Sequence, residues 1–390
     1  MNGRELLFGL LVAALFTLLF SSPVQASTPH KLVSEQLSNL GIDEVKQYWD
    51  DVMTKYGGFL PESQKGTFYE FVSGEKKFSI KAWFQGVLSY LFHEILANGK
   101  LLGTLIFLTV FSAILQSFQN AFERHSISKI AYAIIYMVII ILALNSFHVA
   151  ISYALTAITN MMSFIIALVP LILALMASTG NVISVAFFHP LIIFLVNMSG
   201  LLIKNFVFPL LFLSAILSIV STLTEHYKVT QLAQLLRNIS IGALGVFITI
   251  FLGVLSVQGA TTAVADGITI RTAKFVTGNF IPVIGRMFTE ATDTVLSASI
   301  LLKNTIGLIG VSILILIAAF PAIKVLSLAI IYKLAAAILQ PLGAGPIIDC
   351  LSIISKSVIY IFAALAIVSL MFFLTITIII SAGNVAIMMR

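Results

Sequence analysis

One cysteine, Cys350, is all that this 390-residue chain contains. That excludes an internal disulfide and any CxxC metal or redox site, and a lone cysteine reads as a small apolar residue. Charge is scarce too, at 10% of residues. A soluble globular protein carries about 25%. With 59% hydrophobic residues and a mean hydropathy of +1.07, the chain has too little polar surface to cover a water-facing body. The composition argues against a soluble enzyme, a disordered chain and a secreted disulfide scaffold. The class it fits is all-α, a polytopic transmembrane helix bundle of about seven to nine spans.

Other absences narrow the function. The longest basic run is Lys76-Lys77, so no nucleic-acid patch is expected. The net charge of +6 fits basic cytoplasmic loops instead. There is no HExxH, GxSxG or GxxxxGK[ST] motif, and no paired-Asp arrangement of the intramembrane protease kind. No catalytic residue, cofactor or metal is expected. His148 and His189 have no carboxylate or second histidine one turn away. Beyond position 98 the only acidic residues are Glu123, Glu225, Asp266, Glu290, Asp293 and Asp349. All fall at expected loop or segment edges. A proton- or sodium-coupled transporter usually buries a carboxylate within the membrane, and none is apparent from the pattern.

What is present is unevenly distributed. Residues 1–26 resemble a cleavable signal peptide: Arg4, the apolar run Leu6 to Phe20, then Val24-Gln25-Ala26. Residues 27–98 form a small extracytoplasmic helical segment holding 7 lysines and 9 acidic residues. There Asp43 can cap a helix whose Val45, Trp49, Val52, Met53 and Tyr56 share a stripe, with Gly57-Gly58 as its stop. A second helix from about Ser79 places Phe84, Val87, Leu88, Leu91 and Ile95 on one face. It either packs within the segment or lies on the membrane surface or a partner.

Residues 99–258 read as six transmembrane helices, at about 101–121, 130–149, 153–177, 182–203, 206–224 and 239–258. Residues 259–303 are a polar amphipathic segment with Asp266, Arg271, Lys274, Arg286, Glu290, Asp293 and Lys303. C-terminal transmembrane helices fill 304–390, at about 304–322 and 358–380, with 325–340 a tilted, broken or re-entrant piece. If the signal places residue 27 outside, the loops with Arg124, Lys129, Lys228 and Arg237 face the cytoplasm, and 259–303 lies outside. Thr179-Gly180-Asn181-Val182-Ile183 is echoed at Thr277 to Ile281 and at Gly383-Asn384-Val385, a short repeat of the kind seen in transporter cores.

The stretches SVAFFHPLIIFLVNMSGLLIKNFVFPLLFLSAILSIVS (184–221) and VQGATTAVADGITIRTAKFVTGNFIPVIGRMFTEATDTVLSA (257–298) resemble the stage III sporulation protein AE family of endospore-forming bacteria. The resemblance covers nearly the whole mature chain and is most specific over Gly259–Ala298. It implies a multi-pass protein of the mother-cell membrane around the forespore. There it would join other membrane proteins of the sporulation stage III A operon and forespore protein Q in a channel complex supporting late forespore gene expression. It carries no catalytic residues across. On the residues themselves, Asp266, Arg271, Lys274, Arg286, Glu290 and Asp293 are the candidate pore-lining or partner-docking set. The competing reading is a stand-alone permease for small metabolites or lipid.

Overall fold

A computed structural model describes residues 42–388, apart from 74, 77, 122–124, 224–227, 281–283 and 343–344. The side chains of 80, 116–121, 125–129, 274, 277–280, 284–296, 298, 342 and 387 also lie outside the description. So does the expected signal peptide at 1–26. Among the described residues every regular element is helical.

The polar segment builds α1 (Asp43–Tyr56), α2 (Phe68–Val72) and α3 (Ile80–Ala97). Helix α1 buries Val45, Trp49 and Val52, the stripe its 3.6-residue period predicts. Asp43 is not its cap. The cap position is Ile42, and Asp43 opens the first turn, where a carboxylate favours the positive helix end. Trp49 anchors the small core: its Nε1 donates to the Gly66 carbonyl at 3.0 Å, and its ring lies 4.9 Å from Phe71. Ser79 caps α3, its Oγ accepting from the Ala82 amide.

Helix α3 packs within the segment, with Tyr90 on Tyr56 and Phe59 and Trp83 on Phe78, and the segment also docks on the rest of its own chain. Tyr56 stacks on Phe320 at 4.0 Å, and Tyr90 meets the same ring edge-on at 5.0 Å. Tyr48 meets Phe164 edge-on at 5.2 Å. Glu94 lies 3.8 Å from Lys324. The outer face of α3, with Phe84, Leu88, Phe92 and Leu96, stays exposed.

The apolar body is built of α4 (Gly99–Ala121), α5 (His125–Ser178), α6 (Val182–Leu202), α7 (Phe208–Leu223), α8 (Thr230–Phe280), α9 (Ile284–Leu339) and α10 (Pro346–Met388). A wider π-type turn, Ile203–Val207, carries α6 into α7 without a break. The expected division into short spans is corrected here. The runs 130–149 and 153–177 are one helix, as are 304–322 and 325–340, and 239–258 continues through the polar block to Phe280. Ala150-Ile151-Ser152 holds neither glycine nor proline, and Pro321 lies within α9 without ending it. The described residues do not confirm seven to nine spans: they hold five helices long and apolar enough to cross a bilayer. They become six if α3 and α4, bent by 44° at Asn98, count as one. The five run 41 to 49 residues, or about 60–75 Å at 1.5 Å per residue. A hydrocarbon core is about 30 Å thick.

Neighbouring long helices are antiparallel. Tyr332 of α9 donates to the Leu142 carbonyl of α5 at 3.1 Å, while Gly310 lies against Leu168. Ser355 of α10 donates to the Ala329 carbonyl of α9 at 2.9 Å, while Gly307 lies against Ile380. Ser214 of α7 donates to the Ala233 carbonyl of α8, and Ser240 of α8 donates to the Val207 carbonyl. These serines satisfy a hydroxyl on a neighbouring backbone and let the helices approach closely.

Candidate functional site

One end of the bundle gathers buried polar groups from four helices and a turn. The turn joins α5 to α6. Gly180 adopts φ 84°, which only glycine takes cheaply, and the Asn181 amide returns to the Met176 carbonyl at 3.0 Å. Asn181 stands at the cap position of α6 but does not cap it, because its Nδ2 donates to Thr179 Oγ1 at 2.7 Å. The cap comes from another helix. Asp266 of α8 accepts from the Ile183 amide through Oδ1 and from the Ser184 amide through Oδ2, both at 2.9 Å. The carboxylate is 1% exposed. Free amides and the positive helix end supply what a buried carboxylate needs. Asn181 Oδ1 and Ser184 Oγ are buried without a hydrogen-bond partner among the described residues.

Lys303 of α9 is also fully buried, and its Nζ donates to Asn384 Oδ1 of α10 at 2.7 Å. Gly383 makes the room, since a Cβ there would lie 2.7 Å from that nitrogen. Thr179, Ser299 and Thr262 are buried nearby in the chain, at the turn, on α9 and on α8.

The six expected site residues do not gather into one described cluster. Asp266 is an interior residue of α8, not a segment edge, and it is the intramembrane-type carboxylate that the sequence pattern did not reveal. Arg271 is exposed, five residues on. Lys274 lies in α8, and Arg286, Glu290 and Asp293 lie in the first turns of α9, but their side chains are outside the described residues. The backbone around them has a clear layout. Gly259 packs on Phe188 and Ile378, Asp266 sits at the start of α6, and Lys303 sits on Asn384. Beyond Asp266, α8 is exposed at Ile268, Arg271 and Phe275, and Ser299 of α9 is buried.

Lys303 and Asn384 were not in the expected set. The signal for Lys303 was available, because an ionisable residue opening an apolar helix needs a partner. The Gly-Asn segments of the short repeat do not share a conformation. The first is a turn, and Gly383-Asn384 is helical.

The family model for Stage III sporulation protein AE matches residues 63–383. The Stage III sporulation protein AE of Bacillus subtilis (strain 168) is 70% identical over 365 residues, covering 94% of this chain and 92% of that protein. No solved structure matches the chain.

Proposed function

The chain belongs to the stage III sporulation protein AE family, and we propose that it is a structural membrane subunit of a mother cell–forespore channel complex required for late forespore gene expression. In this reading its partners are the other stage III A membrane proteins and forespore protein Q. Its place is the mother-cell membrane around the forespore. The family is a sporulation family, and the described residues hold five or six helices long and apolar enough to cross a membrane.

The observation that carries the reading is the exposed C-terminal part of α8, where Ile268, Arg271 and Phe275 all face outward, followed by a stretch to 298 that is polar in sequence. This polar stretch, the ends of α8 and α9, holds Arg271, Lys274, Arg286, Glu290 and Asp293. With the signal peptide acting as expected, it faces the intermembrane space and docks a neighbouring subunit or lines the passage. The test is a pair of charge reversals, Arg271→Glu and Arg286→Glu. Heat-resistant spores and co-purification of the stage III A proteins should both fall, while the protein stays in the membrane fraction. Normal sporulation in both variants would sink the docking role.

Asp266 and Lys303, buried charges in an apolar bundle, favour one second reading, a stand-alone permease for small metabolites or lipid. Substrate-dependent flux in vesicles holding only this protein would support it over the subunit reading.

A further inference from the structure

Lys204 lies inside the π-type turn Ile203–Val207, about midway along the continuous helix Val182–Leu223. Each half of that helix is about one hydrocarbon core long. A lysine at the centre of a bilayer is costly. Whichever half is immersed, Lys204 then stands at the membrane–water boundary. The neighbouring helices mark the same level. Thr159 of α5 lines one groove with Lys204, and Tyr153, a turn and a half away, lies 5.2 Å below the Lys324 ammonium, itself 3.8 Å from Glu94. Lysine and tyrosine are the residues that anchor at such boundaries.

The groove lies between α5 and α6 and has a volume of about 300 Å³. Leu155, Ile158, Met162 and Leu201 make an apolar wall, with Asn197 at its edge and Lys204 at its end. Lys324 has its carboxylate, but Lys204 has no ion pair among the described residues. An apolar channel ending in one uncompensated ammonium at the boundary matches an acyl chain ending in one phosphate. We propose that this groove binds a single anionic phospholipid, its phosphate on Lys204 Nζ and the start of one chain along Leu155, Ile158 and Met162.

The test is native mass spectrometry of the purified full chain in detergent, with phosphatidylglycerol or phosphatidylcholine added. Wild type should keep one phosphatidylglycerol under conditions that strip phosphatidylcholine. Lys204→Gln should weaken that retention about fivefold, the worth of one lysine near an anionic surface. Lys204→Arg should keep it, and so should Lys228→Gln, which removes an exposed lysine elsewhere. If Lys204→Gln loses helicity, Leu201→Glu, at an exposed position on the groove, sets a negative charge against the phosphate and should weaken retention likewise. Unchanged phosphatidylglycerol retention in both variants overturns the site. So does equal retention of phosphatidylcholine, or displacement of the lipid by inorganic phosphate.

Discussion

At the scale of single residues, Asp266 is the most consequential side chain described. It answers two buried amides at the start of α6. Asp266→Ala leaves both without an acceptor, at a cost of about 1–3 kcal/mol. The thermal midpoint in detergent should fall by roughly 2–4 °C per kcal/mol. Asp266→Asn keeps one acceptor oxygen and should fall between. A wild-type midpoint for Asp266→Ala would remove the cap from the account. None of this was legible in the sequence. The partners are backbone amides more than eighty positions away, and an amide leaves no mark in residue identity. Asp266 read as one charge among seven in a polar block. Its burial comes from the packing of α8 against α6 and α10, which composition does not encode. Trp49 was legible, because its stripe is local and a helix repeats its face every turn.

At the scale of elements, hydropathy marked where apolar chain lies but not where it turns. A run of about 40 apolar residues reads equally as a hairpin of two spans or as one long helix. Real reversals carried signals: Gly180 with its positive φ, and the Pro341 to Pro346 stretch before α10. Residues 150–152 carried none, and α5 runs through them. The docking of α1 on α9 also lay beyond sequence reading, since it depends on Phe320 and Tyr56 meeting across 264 positions. That contact has a pH signature. Burial, then the nearby Glu94 charge, raises the Tyr56 phenol above its ordinary 10.0. The folded state thus holds its proton where the unfolded state has lost it. The contribution is complete below about pH 10 and declines as pH rises from there toward the raised value. Protease sensitivity of the α1–α2 connection should therefore rise above about pH 10, and Tyr56→Phe should flatten that rise. An equal rise in both proteins would place the alkaline weakness elsewhere.

At the scale of the whole molecule, α9 is the shared member. It packs on α5 through Leu168, on α10 through Ile380, and on the polar segment through Phe320 and Lys324. Closeness depends on two bare backbones. A Cβ at Gly310 would stand 2.5 Å from Leu168 Cδ2, and one at Gly307 would stand 2.3 Å from Ile380 Cδ1. Both clashing atoms end flexible side chains, so alanine forces repacking and leucine forces α9 itself aside. Overpacking of this kind costs about 1–3 kcal/mol. Phe320 is only ten residues from Gly310 on a rigid helix, so displacement of α9 should reach the docked segment. Gly310→Leu is thus expected to lower the thermal midpoint and also to open the α1–α2 connection to protease. Gly245→Leu is the matched control, because a Cβ there meets nothing within 4 Å, and it should do neither. If Gly310→Leu lowers the midpoint while the segment stays as protected as in wild type, then α5 alone holds the segment through Tyr48 and Phe164. In that case α9 does not couple the bundle to its polar face.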